Sequence, residues 1–181
     1  MNRVPLIDRS DTSAERKALL DEIHGAFGAT PNMFRAVANS PAALRSMWGS
    51  FGALGGGTLG ARLGEQIAVA VADRNGCAYC LAAHTVLGQK AGASADEMAA
   101  AQLGESADGK TQAALRFALK VVAERGQVGS ADVQTLRDAG FGDEAIVEIL
   151  AHVALNLFTN YVNLALAVPV DFPAVKLRHG A

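Results

Sequence analysis

Apolar residues recur along the chain at steps of three and four, broken by short polar stretches that carry glycine or proline. That is the period of amphipathic helices. Thr12 and Glu15 have capping-box spacing and predict a helix over residues 13–27, stopped at Gly28. Thr30 followed by Pro31 opens a short helix over 31–39, and Ser40 followed by Pro41 opens a third over 41–54. Residues 55–61, GGGTLGA, read as a loop, and Asn75-Gly76 as a turn. A helix follows over 77–90 and ends near Gly92. Ser94 and Glu97 make a second capping-box pair, residues 111–125 keep the helical period, and Ser130 caps a helix that Gly140 ends. Residues 143–168 form a long apolar helix stopped by Pro169. There is no alternating strand pattern and no two-residue hairpin signal, so the expected fold class is all-α and multihelical.

The long last helix carries its polar residues in order. Glu148, His152, Asn156, Asn160 and Asn163 recur at steps of four, four, four and three, along one slowly turning stripe. A shift of 83 residues lays Glu148 on Glu65, Asn156 on Asp73, Asn160 on Cys77 and Asn163 on Cys80. The expectation is a degenerate internal duplication within a single domain over residues 1–181. Its parts are an N-terminal helical extension (1–54), a motif-bearing half (60–104) and a degenerate second half (108–173).

Composition narrows the class. The chain has 181 residues, half of them apolar and 19% charged, with a formal net charge of −2. Such a balance gives no electrostatic case for nucleic acid or an anionic membrane. MNRVPLIDRS lacks the apolar core of a secretory signal, and uninterrupted apolar runs such as residues 67–72 are too short for a bilayer. A cytoplasmic protein without a membrane partner is the expectation. Two cysteines in a reducing compartment, three positions apart, are a poor structural staple: the loop is very short and the environment opposes the bond. The pair asks for a chemical reason.

Cys77 and Cys80 lie in EQIAVAVADRNGCAYCLAAH, residues 65–84. At the start of a helix, Cys77, Cys80 and His84 share one face, and the unpaired N–H groups and dipole there favour a thiolate. Glu65 is a lone acid in the preceding apolar segment and needs a partner.

The spacing Glu-x11-Cys-x2-Cys-x3-His, with GCAYCLAAH around it, resembles the signature of the carboxymuconolactone decarboxylase superfamily, and within it the AhpD-like alkylhydroperoxidase branch. TPNMFRAVANSP and NYVNLALAVPVDFP are similar to peroxidase-related members, so the likeness spans most of residues 23–173. The resemblance implies an AhpD-like helical bundle and a thiol-dependent peroxidase with Cys77, Cys80, His84 and Glu65 as catalytic residues. It gives the attack on peroxide to Cys80 and the resolving role to Cys77, with His84 and Glu65 as proton relay. It also implies a dithiol reductant of lipoyl or thioredoxin-like type and a homo-oligomer, a trimer or hexamer. Some AhpD proteins carry a second histidine before the second cysteine, where this chain has Tyr79.

Each residue also has a plainer reading. A zinc site would want a second ligand pair, which the sequence lacks, so no metal is expected, and no cofactor either. Tyr79 reads as packing, and His152 with the asparagine stripe as buried hydrogen-bond partners lining the same cavity. Met47, Trp48 and Phe51 read as core or subunit interface, and His24 and His179 carry no motif. Competing functions are a cofactor-free lyase acting on a carboxylated lactone, a general dithiol oxidoreductase and a non-enzymatic redox-sensing module. The lyase needs an acid–base pair and a carboxylate-binding arginine rather than two thiols.

Overall fold

The computed structural model describes residues 2–179, in which nine α-helices and no strand are found. They are α1 (Ala14–Phe27), α2 (Asn32–Val37), α3 (Pro41–Gly55), α4 (Ala61–Arg74), α5 (Ala78–Lys90), α6 (Ala95–Gln102), α7 (Gly109–Ala123), α8 (Ser130–Asp138) and α9 (Asp143–Leu166).

Helix starts follow the side chains that can satisfy free N–H groups. Ser40 accepts from Ala43 N–H ahead of Pro41, and Ser94 with Glu97 forms the expected capping box. Other expected starts are corrected: Pro31 is itself the N-cap of α2, which spans Asn32–Val37, so Thr30 does not cap it. α1 is capped at Ser13 with no side-chain bond, so the Thr12–Glu15 box does not form. α8 is capped at Gly129, whose N–H donates to the Asp132 carboxylate at 2.8 Å, and Ser130 is already helical. α7 begins at Gly109 because Asp108 accepts from Thr111 N–H at 2.7 Å.

α4 is the hub. Residues 66–73 are buried on every side, and the helix packs against α5, α6, α7 and α9. A helix apolar all round belongs in the interior. Gly88 lets α5 come close: a Cβ there would lie 2.3 Å from the Met98 methyl and 3.3 Å from Glu65 Cβ. The N-terminal helices form a separate layer built on an aromatic cluster, in which Phe34 lies 5.8 Å from each of Phe27, Trp48 and Phe51. Met47 is fully buried.

α9 is long and apolar enough to cross a membrane by length and composition alone. In the fold its buried side mixes Ile149 and Val153 with Asn156, Thr159, Asn160 and Asn163, while Val147, Leu150, Phe158, Tyr161 and Leu164 are exposed.

The tail after α9 folds back over the bundle and is pinned twice. Asp171 accepts from Asn32 N–H at 2.8 Å. Further on, the fully buried Asp73 accepts from Gln102 Nε2 (2.7 Å), Arg178 N–H (2.8 Å), His179 N–H (3.0 Å) and His179 Nδ1 (2.7 Å). Burial resists the Asp73 charge, but these donors outweigh it and hold the carboxyl below its ordinary value. The sequence offered no signal for this latch, because its halves are more than 100 residues apart.

Asp73→Ala is expected to lower unfolding stability by about 2 kcal/mol or more, the scale of lost hydrogen bonds to a charged group. It should also speed proteolytic clipping of the tail. The Asp73 contribution is complete above the unfolded carboxylate value of about 3.9, and fades as pH falls through the lower folded value. Denaturant unfolding across acidic pH checks both, and an unchanged midpoint and clipping rate would remove the latch.

Candidate active site

The turn between α4 and α5 places the two thiols. Asn75 ends α4, and Gly76 takes φ 70°, a left-handed conformation that suits glycine. Cys77 N–H then reaches back to Ala72 O at 2.9 Å. Cys77 is the N-cap residue of α5 rather than a member of its first turn, and its sulfur accepts from Cys80 N–H at 3.3 Å. Cys80 follows in the first turn and His84 one turn later, all three buried. From α4, Glu65 Oε2 accepts from His84 Nδ1 at 2.7 Å. That bond fixes the ring and leaves Nε2 to exchange a proton. The structure therefore brings Glu65, Cys77, Cys80 and His84 together.

α9 supplies the other wall. Asn163 Nδ2 donates to Cys80 Sγ at 3.2 Å, and the Thr159 hydroxyl lies 4.0 Å from the same sulfur. Asn160 Oδ1 accepts from Asn75 Nδ2 at 2.8 Å. Asn160 and Asn163 of the stripe seen in the sequence thus face the thiols, whereas Asn156 Nδ2 donates to His152 O at 2.9 Å, and nothing in the sequence named Asn163 as the partner of Cys80. Two other stripe members do different work. Glu148 accepts from the Thr58 and Leu59 N–H groups (2.8 and 3.1 Å) and holds the loop before α4. His152 is only half-buried, with its ring against Gly64, so it is not the buried hydrogen-bond partner expected of it. Tyr79 packs edge-on against Phe172 at 5.7 Å, and its hydroxyl accepts from Met33 N–H at 3.1 Å, tying α2 and the tail to α5.

Electrostatics separate the two thiols. Burial resists ionisation of Cys80, but the neighbouring Cys77 thiol, the His84 charge and the Asn163 and Asn160 amides together bring it down to about 6. Cys77 moves the other way, first because of the adjacent Cys80 sulfur and then through burial. Burial disfavours the His84 cation, yet the Glu65 carboxylate and the Cys80 thiolate raise its pKa. The ionised form of the site is a Cys80 thiolate beside a His84 imidazolium. Among the described residues no group of three or more His, Cys, Asp or Glu side chains gathers as a metal site.

Cys80 and His84 border a small apolar cavity of about 30 Å³, walled by Phe34, Phe51, Tyr79 and Phe172 among others. It is room for one water-sized molecule. Its walls come from the N-terminal helices and the tail.

The carboxymuconolactone decarboxylase family model matches residues 41–124, the stretch that holds Glu65, both cysteines and His84. An AhpD-core, peroxidase-related protein from Ralstonia eutropha JMP134 shares the fold with TM-score 0.82 and 28% identity, over 94% of this chain and 92% of that one. Residues 41–124 thus belong to the carboxymuconolactone decarboxylase family, and the chain as a whole has the AhpD-like fold. A peroxidase-related protein from Silicibacter sp. TM1040 aligns over 99% of this chain and 94% of its own, with TM-score 0.81 and 24% identity. The debrominase Bmp8, solved in complex with 2,3,4-tribromopyrrole, aligns over 93% and 91% with TM-score 0.80 and 20% identity. These last two likenesses concern the fold. No curated protein matches the sequence significantly. The AhpD-like fold accounts for the all-helical expectation, and its N-terminal helices and tail are what close the cavity.

In thiolate absorbance, Cys80 is expected to titrate near pH 6. His84→Ala should move that midpoint up by removing the neighbouring positive charge, and Glu65→Gln should move it less, acting through His84. A midpoint at the free-thiol value of about 8.5 in the unsubstituted protein would overturn the assignment.

Proposed function

We propose that this AhpD-like protein is a thiol-dependent peroxidase working through a Cys77–Cys80 dithiol/disulfide cycle. The observation that carries the reading is the Glu65–His84 relay set beside a sulfur whose ionisation is favoured, with a second thiol three residues away and an apolar cavity at the sulfur.

The Cys80 thiolate attacks the terminal oxygen of a hydroperoxide. An S–O bond forms as the O–O bond breaks, Cys80 becomes a sulfenic acid, and the departing alkoxide takes a proton from the His84 imidazolium. Cys77 then displaces hydroxide from the sulfenic sulfur, with proton transfer making water, and a disulfide results. An external dithiol restores both thiols by exchange and leaves as a disulfide. Both sulfurs are buried, so a macromolecular reductant reaches them only when the covering segments move. The cavity as it stands suits hydrogen peroxide, and an organic hydroperoxide needs its walls to move apart. Among the described residues no arginine or lysine lines it, which weighs against the lyase reading, whose substrate carboxylate needs one.

The decisive experiment is peroxide consumption with lipoyl-type and thioredoxin donors, run beside a halogenated pyrrole because of the debrominase likeness. Cys80→Ser is expected to abolish consumption. Cys77→Ser should still form one equivalent of sulfenic acid, read with a trapping probe. His84→Ala should slow the first step by roughly 100-fold or more. Labelling of Cys80→Ser but not Cys77→Ser would reverse the roles, and two thiols unchanged after excess peroxide would end the reading.

The homo-oligomer belongs to the same proposal, supported by the exposed apolar stripe Val147, Leu150, Phe158, Tyr161 and Leu164 at helical spacing on α9. Light scattering is expected to give a trimer or hexamer that Tyr161→Glu shifts toward monomer. A unit mass at micromolar concentration would remove this part alone.

A further inference from the structure

The peroxidase reading leaves one wall of the site without a role. Beside the Cys80 sulfur, α9 presents two amide side chains that are almost wholly buried: Asn163 at 4% exposure and Asn160 at none. Asn163 Nδ2 is bonded to the sulfur at 3.2 Å. Asn163 Oδ1, Asn160 Nδ2 and Asn156 Oδ1 have no partner. Buried polar atoms are paired as a rule, and orphaned ones cluster where a reacting species supplies the missing partner. A side chain serving only to fill this helix contact would do better as leucine, which brings no polar atoms to satisfy.

Resting on that reading, we propose that Asn163 is a catalytic residue and that, with Asn160, it forms an anion cradle for Cys80. The Asn163 N–H is pointed at the sulfur and is a stronger donor to a thiolate than to a neutral thiol. It thereby favours the ionised nucleophile inside a core that otherwise disfavours charge. An amide is suited to this because it neither gives up its proton nor carries charge, so it steadies the thiolate without quenching it. His84 does the complementary work, since it can move a proton. Asn160 Nδ2 is the second donor, unpartnered and near enough to Cys80 to favour its ionised form. Asn75, bonded to Asn160 Oδ1 at 2.8 Å, is a positioning residue that keeps the Asn160 donor end turned away from the α4–α5 turn. The second half of the chain thus supplies part of the thiolate's environment.

The test is a thiolate titration that uses no peroxide. Asn163→Leu leaves the titratable groups around Cys80 unchanged: Cys77 at the cap of α5, Tyr79 and His84 on α5, Glu65 on α4, His152 on α9 and Asp171 of the tail. Asn163→Leu is expected to raise the Cys80 midpoint by about one to two pH units, a tenfold to hundredfold loss of thiolate at a pH below both midpoints, the scale of one hydrogen bond to a charged group. Asn163→Asp, of the same shape, should raise it further by setting a carboxylate against the sulfur. In the unsubstituted protein, the Asn163 side-chain amide proton should shift in nuclear magnetic resonance with the same midpoint as the thiolate absorbance, which needs no variant to fold. Variants that melt at lower temperature with an unmoved Cys80 midpoint, or an Asn163 amide indifferent to that titration, would overturn the proposal. A raised midpoint in a protein that consumes no peroxide would uphold the cradle and end the peroxidase reading instead.

Discussion

A negative charge inside a helical core has to be met within a few ångströms, and the Cys80 sulfur is where this fold meets that requirement. Burial alone would keep the thiol protonated. The opposing contributions come from three directions: Cys77 on the same helix, the His84–Glu65 pair across the α4–α5 contact, and the α9 amides. None of these donors is useful unless the helices carrying it are held in register. The close approach at Gly88, the tight turn at Gly76 and the burial of α4 on all sides therefore bear on chemistry as much as on packing.

Division of labour between two neighbouring thiols follows from the same geometry. Cys77 caps α5 by accepting from Cys80 N–H, and its own thiol is pushed up by the neighbouring Cys80 and by burial. A helix start shared by two cysteines does not activate both. Cys80, beside the His84 charge and the Asn163 amide, is the one whose ionisation is favoured, while the cap stays protonated.

Much of this was legible in one dimension. Cys80 and His84 keep their sequence spacing as one helix face with Cys77 at its cap, Glu65 joins them across the α4–α5 contact, and Ser40–Pro41 and Ser94–Glu97 mark real helix starts. Thr12 and Ser130 misled because several polar residues near a helix start compete for one capping position, and local spacing does not rank them. What could not be read was pairing at long range: Asn163 with Cys80, Asp73 with His179, Tyr79 with Met33. The asparagine stripe on α9 was visible, but a stripe says only which residues share a side, not what will be packed against it. Tyr79, beside the nucleophile, proves to be a tie between α5, α2 and the tail.

The opposite shifts of Cys80 and His84 bear on the energetics of the whole chain. Cys80 is more acidic folded than unfolded, so its contribution to stability grows as pH rises from about 6 toward the unfolded thiol value of about 8.5. His84 is more basic folded than unfolded, so its contribution is complete below about 6.5 and is lost as pH rises through its folded value. The two slopes oppose each other, because forming the pair moves a proton within the site rather than to solvent. Ionisation of Cys80 and protonation of His84 thus act in opposite senses on folding stability near neutrality. Above about 8.5 the raised Cys77 takes over: the unfolded chain ionises a thiol that the folded one keeps protonated, and stability declines toward alkaline pH.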